Sequence, residues 1–204
     1  MMLNETITLY LASQSPRRKE LLSQLDYPFE LLRPDVVEQR EADEKAEDYV
    51  CRLAQEKAKA GVEIAPSELP VLGADTIVVV GERILEKPLD LTDAKDMLEM
   101  LSGTTHQVMT AIALATPHSC EVRLVVTDVT FRKLLEHEIE NYWHTGEPCD
   151  KAGAYGIQGI AGKFVSRIDG SYTGVVGLPL LETDLLIQSY LEKRAKESQC
   201  LQSC

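Results

Sequence analysis

The stretch I-T-L-Y-L-A-S-Q-S-P-R-R-K-E-L-L, residues 7–22, predicts a short buried strand that passes through a tight loop into a helix. The run is rich in β-formers up to Ala12, so the strand is expected over Thr6–Ala12. Ser15 stands where an N-cap belongs. Pro16 takes the first helical position, where its missing N–H has no partner to lose. Leu21, Leu22 and Leu25 supply the apolar face of the helix. A strand that feeds a helix in this way aims free backbone N–H groups at whatever lies beyond the strand end, and such groups attract anions.

Working outward, Phe29–Leu32 reads as a second strand and Pro34–Asp43 as a polar, acidic loop. Ala46–Ala60 is expected to be helical, with Val50, Leu53, Ala54 and Ala58 on one side and Gly61 as its stop. Pro70–Val80 is a strand that turns at Gly81-Glu82 into Arg83–Glu86. A helix follows at Asp90–Leu101, ended by Gly103. Thr105–Thr116 and Glu121–Phe131 then alternate as an antiparallel pair. Glu136–His144 is helical, Phe164–Ile168 a strand, and Pro179–Lys193 a closing amphipathic helix. Strands and helices interleave without a linker or repeat. The expected fold is therefore α/β, a long twisted mixed sheet flanked by helices, with two lobes and a cleft between them. One domain is expected over residues 1–196, with 197–204 as a flexible tail.

The chain has 204 residues, 44% of them hydrophobic and 26% charged, which suits a soluble globular domain with a core of normal size. No apolar run approaches the length of a membrane-spanning helix, and no secretory signal is legible at the start. The five cysteines are scattered without a C-x-x-C pair, as reduced thiols in a cytoplasmic protein would be; Cys200 and Cys204 fall in the polar tail. A formal net charge of −12 argues against a nucleic-acid partner. It leaves room for a small phosphorylated substrate, provided a few basic residues are gathered in one place.

Two arginines on the first turn of a helix oppose its dipole, a poor choice for stability alone. Two readings stand for Ser13, Ser15, Arg17 and Arg18: an anion site, or a simple cap with solvated arginines. Asp75 interrupts an otherwise apolar strand, V-L-G-A-D-T-I-V-V-V at 71–80. A carboxylate buried there needs a cation, a metal or a catalytic task; the other reading is a turn aspartate between two strands. Lys57, Lys87 and Lys151 are ordinary surface lysines when taken singly, and Glu38 an ordinary solvated acid. The glycine-rich run Tyr155–Gly159 is either a tight turn or a place where backbone approaches a ligand. There is no Walker A loop, no G-x-G-x-x-G and no H-E-x-x-H, and the four histidines are dispersed.

Taken in order, L-A-S-Q-S-P-R-R at 11–18, L-A-Q-E-K-A at 53–58, V-L-G-A-D-T-I-V at 71–78 and L-E-K-P at 85–88 resemble the Maf-like nucleotide pyrophosphatase family. L-S-G-T-T-H-Q-V at 101–108, D-K-A-G-A-Y-G-I-Q-G at 150–159 and V-V-G-L-P-L-L-E-T at 175–183 continue the match over nearly the whole chain. The resemblance implies an ITPase-like fold, a homodimer, and hydrolysis of a nucleoside triphosphate to monophosphate and pyrophosphate with a divalent metal, Mg²⁺ or Mn²⁺. It implies Asp75 as proton acceptor, Arg18, Lys57 and Lys87 as triphosphate ligands, and Glu38 with Asp75 as metal ligands. Arg17, Thr76 and Gln158 occupy the positions that separate the subgroups, and here they resemble the dTTP/UTP subgroup. The 7-methyl-GTP subgroup typically carries tryptophan at the first arginine. An amide at Gln158 suits the O4 and N3–H edge of uracil or thymine. The family is also linked to inhibition of cell-division septa, which leaves a regulatory nucleotide-binding protein as the alternative.

Overall fold

The computed structural model describes residues 7–202, with the side chains of 198 and 200–202 excepted. Thr6, at the expected start of the first strand, and Cys204 lie outside the described residues. The leading unit forms as its sequence dictates: β1 (Leu9–Ala12) runs into α1 (Pro16–Leu22), and the Ser15 hydroxyl accepts from the Arg18 N–H as N-cap. Then come β2 (Phe29–Leu32), α2 (Ala46–Ile64), β3 (Val71–Val80), β4 (Arg83–Leu85) and α3 (Leu91–Leu101). The long hairpin β5 (Thr105–Ala115) and β6 (Cys120–Phe131) is followed by α4 (Glu136–Trp143), β7 (Val165–Asp169), α5 (Tyr172–Val176) and α6 (Leu180–Gln202).

The seven strands make one mixed sheet in the order β2-β1-β3-β5-β6-β7, with β4 also paired to β3. β1 is parallel to both β2 and β3, and the remaining pairs are antiparallel. On its β1 side, β3 has an interrupted edge. β1 pairs with it only as far as Gly73, and β4 takes up the same edge from Val78. Ala74–Ile77 therefore border an opening rather than a strand, although β5 pairs them on the other side. Apolar clusters fill in on either side of this gap. One gathers Val78, Leu98, Val108, Phe131, Tyr142 and Phe164; another gathers Leu11, Leu22, Leu72, Ile112, Leu178 and Leu186. These are the two lobes, built on one sheet with the opening between them.

α2 packs its stripe Val50, Leu53, Ala54, Ala58 and Gly61 against one face of β3 and β5. Each fully buried Leu or Val there contributes roughly 1.5–3 kcal/mol. Gly61 does not stop the helix, which continues to Ile64. The glycine instead allows close approach: a Cβ at this position would lie 2.6 Å from Val71 Cγ1 and 2.9 Å from Ala12 Cβ. Gly73 answers it from β3, where a Cβ would fall 2.5 Å from the Ala54 carbonyl oxygen. α6 likewise runs on to Gln202, past the expected end at Lys193 and into the segment read as a tail. The five-residue α5 had no counterpart in the sequence reading, because glycine and proline surround it. Among the described residues, no helix is long and apolar enough to cross a membrane.

Candidate active site

The opening along Ala74–Ile77 leads into a cleft of about 800 Å³. Ser13, Ser15, Arg17, Arg18, Glu38, Lys57, Asp75, Thr76, Lys87 and Gln158 all line it, so the fold brings every candidate residue to one place. Asp75 and Thr76 are neighbours on β3 and point to opposite faces of the sheet, as strand side chains must. The cleft wraps the free edge between them.

On the α2 face lies a charged cluster. Lys57 falls on the inward stripe of α2, among Leu53, Ala54, Ala58 and Gly61, and so is directed at the sheet rather than at solvent. Its Nζ donates to Asp75 Oδ1 at 2.6 Å and lies 2.6 Å from Glu38 Oε1. Asp75 is only 6% exposed, and Lys57 provides the partner that a buried carboxylate needs. Glu38 extends from the acidic loop, with Lys87 Nζ 3.9 Å from its other oxygen. Desolvation works to raise the Glu38 pKa. The hydrogen bond and charge of Lys57, helped by Lys87 and Arg18, outweigh it and hold the carboxyl below its usual range. Tyr49 donates to Glu86 Oε1 at 3.2 Å on the same wall; burial, then the nearby carboxylates, push its phenol upward, so it stays protonated.

The opposite face carries a directional chain of hydrogen bonds. Thr110, fully buried and directly opposite Thr76 in the sheet, gives its hydroxyl proton to the Gly174 carbonyl at 2.7 Å. Its oxygen must therefore accept from Thr76 at 2.9 Å, since a hydroxyl has one proton to give. Thr76 in turn accepts from Arg18 Nη2 at 3.1 Å, while Arg18 Nε donates to the Gly177 carbonyl at 2.9 Å. Gly177 has φ +126°, a conformation that brings this carbonyl round at the end of α5 and that other residues rarely adopt. Burial pulls the Arg18 guanidinium below its ordinary pKa, against the opposing pull of Asp75 and Glu38. Thr76, grouped by resemblance with Arg17 and Gln158, has its hydroxyl committed to Arg18.

Arg17 turns the other way, with Nη1 3.4 Å from Asp150 Oδ2. Asp150 also accepts from Lys151 Nζ at 2.6 Å. Gln158 is exposed, in the turn Ile157–Gly159. Ser13 is buried, and its hydroxyl accepts from the Ser15 N–H at 3.2 Å. Thr110, Glu147 and Asp150 are not singled out as site residues by the sequence. Thr110 sits in an unremarkable strand, and only the sheet register sets it beside Thr76.

Among the described residues, no three His, Cys, Asp or Glu side chains are grouped to hold a metal ion. Glu38 and Asp75 nevertheless converge on one Lys57 nitrogen. Mg²⁺ is commonly held by one or two carboxylates, with waters and substrate phosphates completing its shell. Two convergent carboxylates fit an ion that shares its coordination with a triphosphate.

Residues 8–190 match the family model described as Maf-like protein. The chain is 55% identical over 189 residues to a protein of Vibrio parahaemolyticus named dTTP/UTP pyrophosphatase, covering 93% of this chain and 100% of that one. Proteins of the same name from Photobacterium profundum and Pectobacterium atrosepticum are 58% and 60% identical. They match 91% and 92% of this chain and 97% and 95% of their own lengths.

Proposed function

The chain belongs to the Maf-like family, and we propose that it hydrolyses dTTP and UTP to the monophosphate and pyrophosphate. One observation carries the reading: a chain of net charge −12 gathers Arg17, Arg18, Lys57 and Lys87 around the buried carboxylate of Asp75. With Lys151 they make five basic side chains along one cleft, which suit a polyanion although acids line it too. A carboxylate in their midst repels that polyanion, so it needs a task there: to take a proton, to hold a metal, or both.

Water attacks the α-phosphorus in line, and Asp75 accepts its proton. Lys57 spans Asp75 and Glu38 and holds positive charge beside the point of attack. Arg18 is oriented through Nε and Nη2, which leaves Nη1 to meet phosphate oxygens. Lys87, largely exposed, offsets charge that builds on the leaving pyrophosphate. Ser13 and Ser15 line the same phosphate end. Glu38 and Asp75 would hold a divalent cation, which would supply further neutralisation of phosphoryl charge. Arg17 and Gln158 contact the base, and the Gln158 amide both donates to and accepts from the pyrimidine edge.

The reading includes a homodimer in the cytoplasm. Exposed Leu181 and Leu185, one turn apart on α6, support the first, and the free thiols of Cys51, Cys120 and Cys149 support the second. The test is product analysis with purified protein and a panel of dTTP, UTP, CTP and 7-methyl-GTP. Monophosphate and pyrophosphate from dTTP and UTP, with the highest kcat/KM values of the panel, are expected. Nucleotide binding without pyrophosphate release in the presence of Mg²⁺ or Mn²⁺ would instead mark a regulator.

A further inference from the structure

The turn that carries Gln158 lies outside the strands and α-helices and leads into a short 3-10 helix at Ile160–Phe164, and its backbone is pinned at both ends by one side-chain pair. Upstream, Gly156 N–H donates to the Tyr142 hydroxyl at 3.1 Å. Downstream, Ile160 N–H donates to Glu147 Oε2 at 2.9 Å and Ala161 N–H to Glu147 Oε1 at 3.4 Å. The two anchors are joined, since Tyr142 donates to Glu147 Oε1 at 2.8 Å. The glycines of the turn let it lie directly on these side chains. A Cβ at Gly159 would fall 2.3 Å from Glu147 Oε2, and one at Gly156 would fall 2.7 Å from Lys151 Cε. Tyr142 is buried in the core of its lobe, against Phe164, and so ties the turn to fixed structure. Burial and Glu147 raise the Tyr142 phenol, which keeps its proton for the bond to the carboxylate.

We infer that Glu147 is the positioning residue for base selection: its carboxylate, with Tyr142, fixes the turn that presents Gln158 to the pyrimidine. This deepens the proposed function and rests on Gln158 contacting the base. A carboxylate is the group this position requires. Three donors converge on its two oxygens, and an ionised acid accepts at both. Glutamine has the same shape, but its amide nitrogen would meet one of those donors with another donor. Glu147→Gln should therefore loosen the turn without moving Asp75, Lys57 or Arg18, none of which touches Glu147.

The experiment compares the wild type, Glu147→Gln, Gln158→Ala and the double variant by two measurements. Hydrogen exchange is expected to rise in Glu147→Gln at the amides of 156–161 and to stay unchanged in β3 and α2. In kinetics, the ratio of kcat/KM for UTP over CTP should fall about 3- to 10-fold, the worth of one misplaced hydrogen bond. The change should lie mainly in KM. Adding Glu147→Gln to Gln158→Ala should change the ratio no further. Unchanged exchange at Ile160 and Ala161 overturns the proposal, as does an equal fall in kcat for every nucleotide or an additive double variant. If Glu147→Gln does not fold, Tyr142→Phe carries the same two measurements, because it removes the link between Gly156 and Glu147. A wild type that releases no pyrophosphate from any nucleotide defeats the functional reading instead. The exchange measurement would then still report whether the clamp exists.

Discussion

The two faces of β3 at Asp75 and Thr76 solve different problems with different materials. On the Asp75 face the groups are ionic, and two of the three stand on regular elements: Asp75 on a strand and Lys57 on the buried stripe of a 19-residue helix. Glu38 alone comes from a loop. On the Thr76 face the framework is a neutral relay, Thr76 to Thr110 to Gly174, that holds one arginine. Beyond it, Arg17 and Gln158 are steadied by short turns around Glu147–Asp150. Asp75, Lys57 and Arg18 sit where the backbone is fixed by hydrogen-bonded ladders, helices and core packing, while Glu38 and Lys87 reach in from loops. Of the groups assigned to choosing the base, Gln158 sits on a turn, which can change without disturbing the sheet, while Arg17 stands on the first turn of α1.

Substitutions should separate these faces. The largest effect is expected from Asp75→Asn, a loss of about 10²–10⁴-fold in kcat, typical for removal of a general base. Calorimetry should still find nucleotide bound. Near-normal turnover would take Asp75 out of this role and end the contrast at its strongest point.

Thr110→Val strikes the relay. It leaves the Thr76 hydroxyl and the Gly174 carbonyl without their partner in a buried site, which costs about 1–3 kcal/mol. Chemical denaturation should register that loss, together with a lower kcat/KM for all nucleotides alike as Arg18 loses its support. A shift in nucleotide ranking alone would place the relay with selection rather than with charge.

Acid should act on the Thr76 face through His106, which is 2% exposed and bonded at Nε2 to the Tyr155 hydroxyl at 2.8 Å. Desolvation lowers its pKa to about 4 from the usual 6.5. The depressed value means that the unfolded chain takes up a proton first. The stability present above about pH 6.5 is therefore lost as pH falls toward 4, by up to about 1.4 kcal/mol per pH unit. Denaturation curves of His106→Gln should show a shallower slope across that window. An unchanged slope would assign the acid sensitivity elsewhere.

Asp150→Ala should do least. The Arg17–Asp150 pair is partly exposed, and such pairs are worth about 0–1 kcal/mol. Melting should hardly change, while the UTP over CTP ratio drifts by about 2- to 3-fold as Arg17 is released. A loss of hydrolysis as large as that of Asp75→Asn would erase the division between the faces.

Much of this site could be read from the chain before folding was considered. Ser15-Pro16 marked the start of α1, and Asp75 stood out as a carboxylate in an apolar strand. Lys57 was legible in principle: it shares the stripe of Leu53, Ala54 and Ala58, so the same periodicity that defines the helix directs it inward. Read singly, it passed for a surface lysine. Gly61 misleads for a related reason. A glycine reads as a stop, and only the strand beneath the helix turns it into a contact.

The sequence by itself determined the strands and the helices other than α5, roughly where most of them start and stop, and which residue types gather the charge. Those are local matters of periodicity, capping and turn chemistry, settled within a few residues. Tertiary structure alone decided that Thr110 supports Thr76, that Asp150 meets Arg17 across 133 positions, and that Glu147 holds the turn bearing Gln158. Strand register sets the first of these contacts and the packing of distant loops and helices the other two, and neither is a property of any segment read alone.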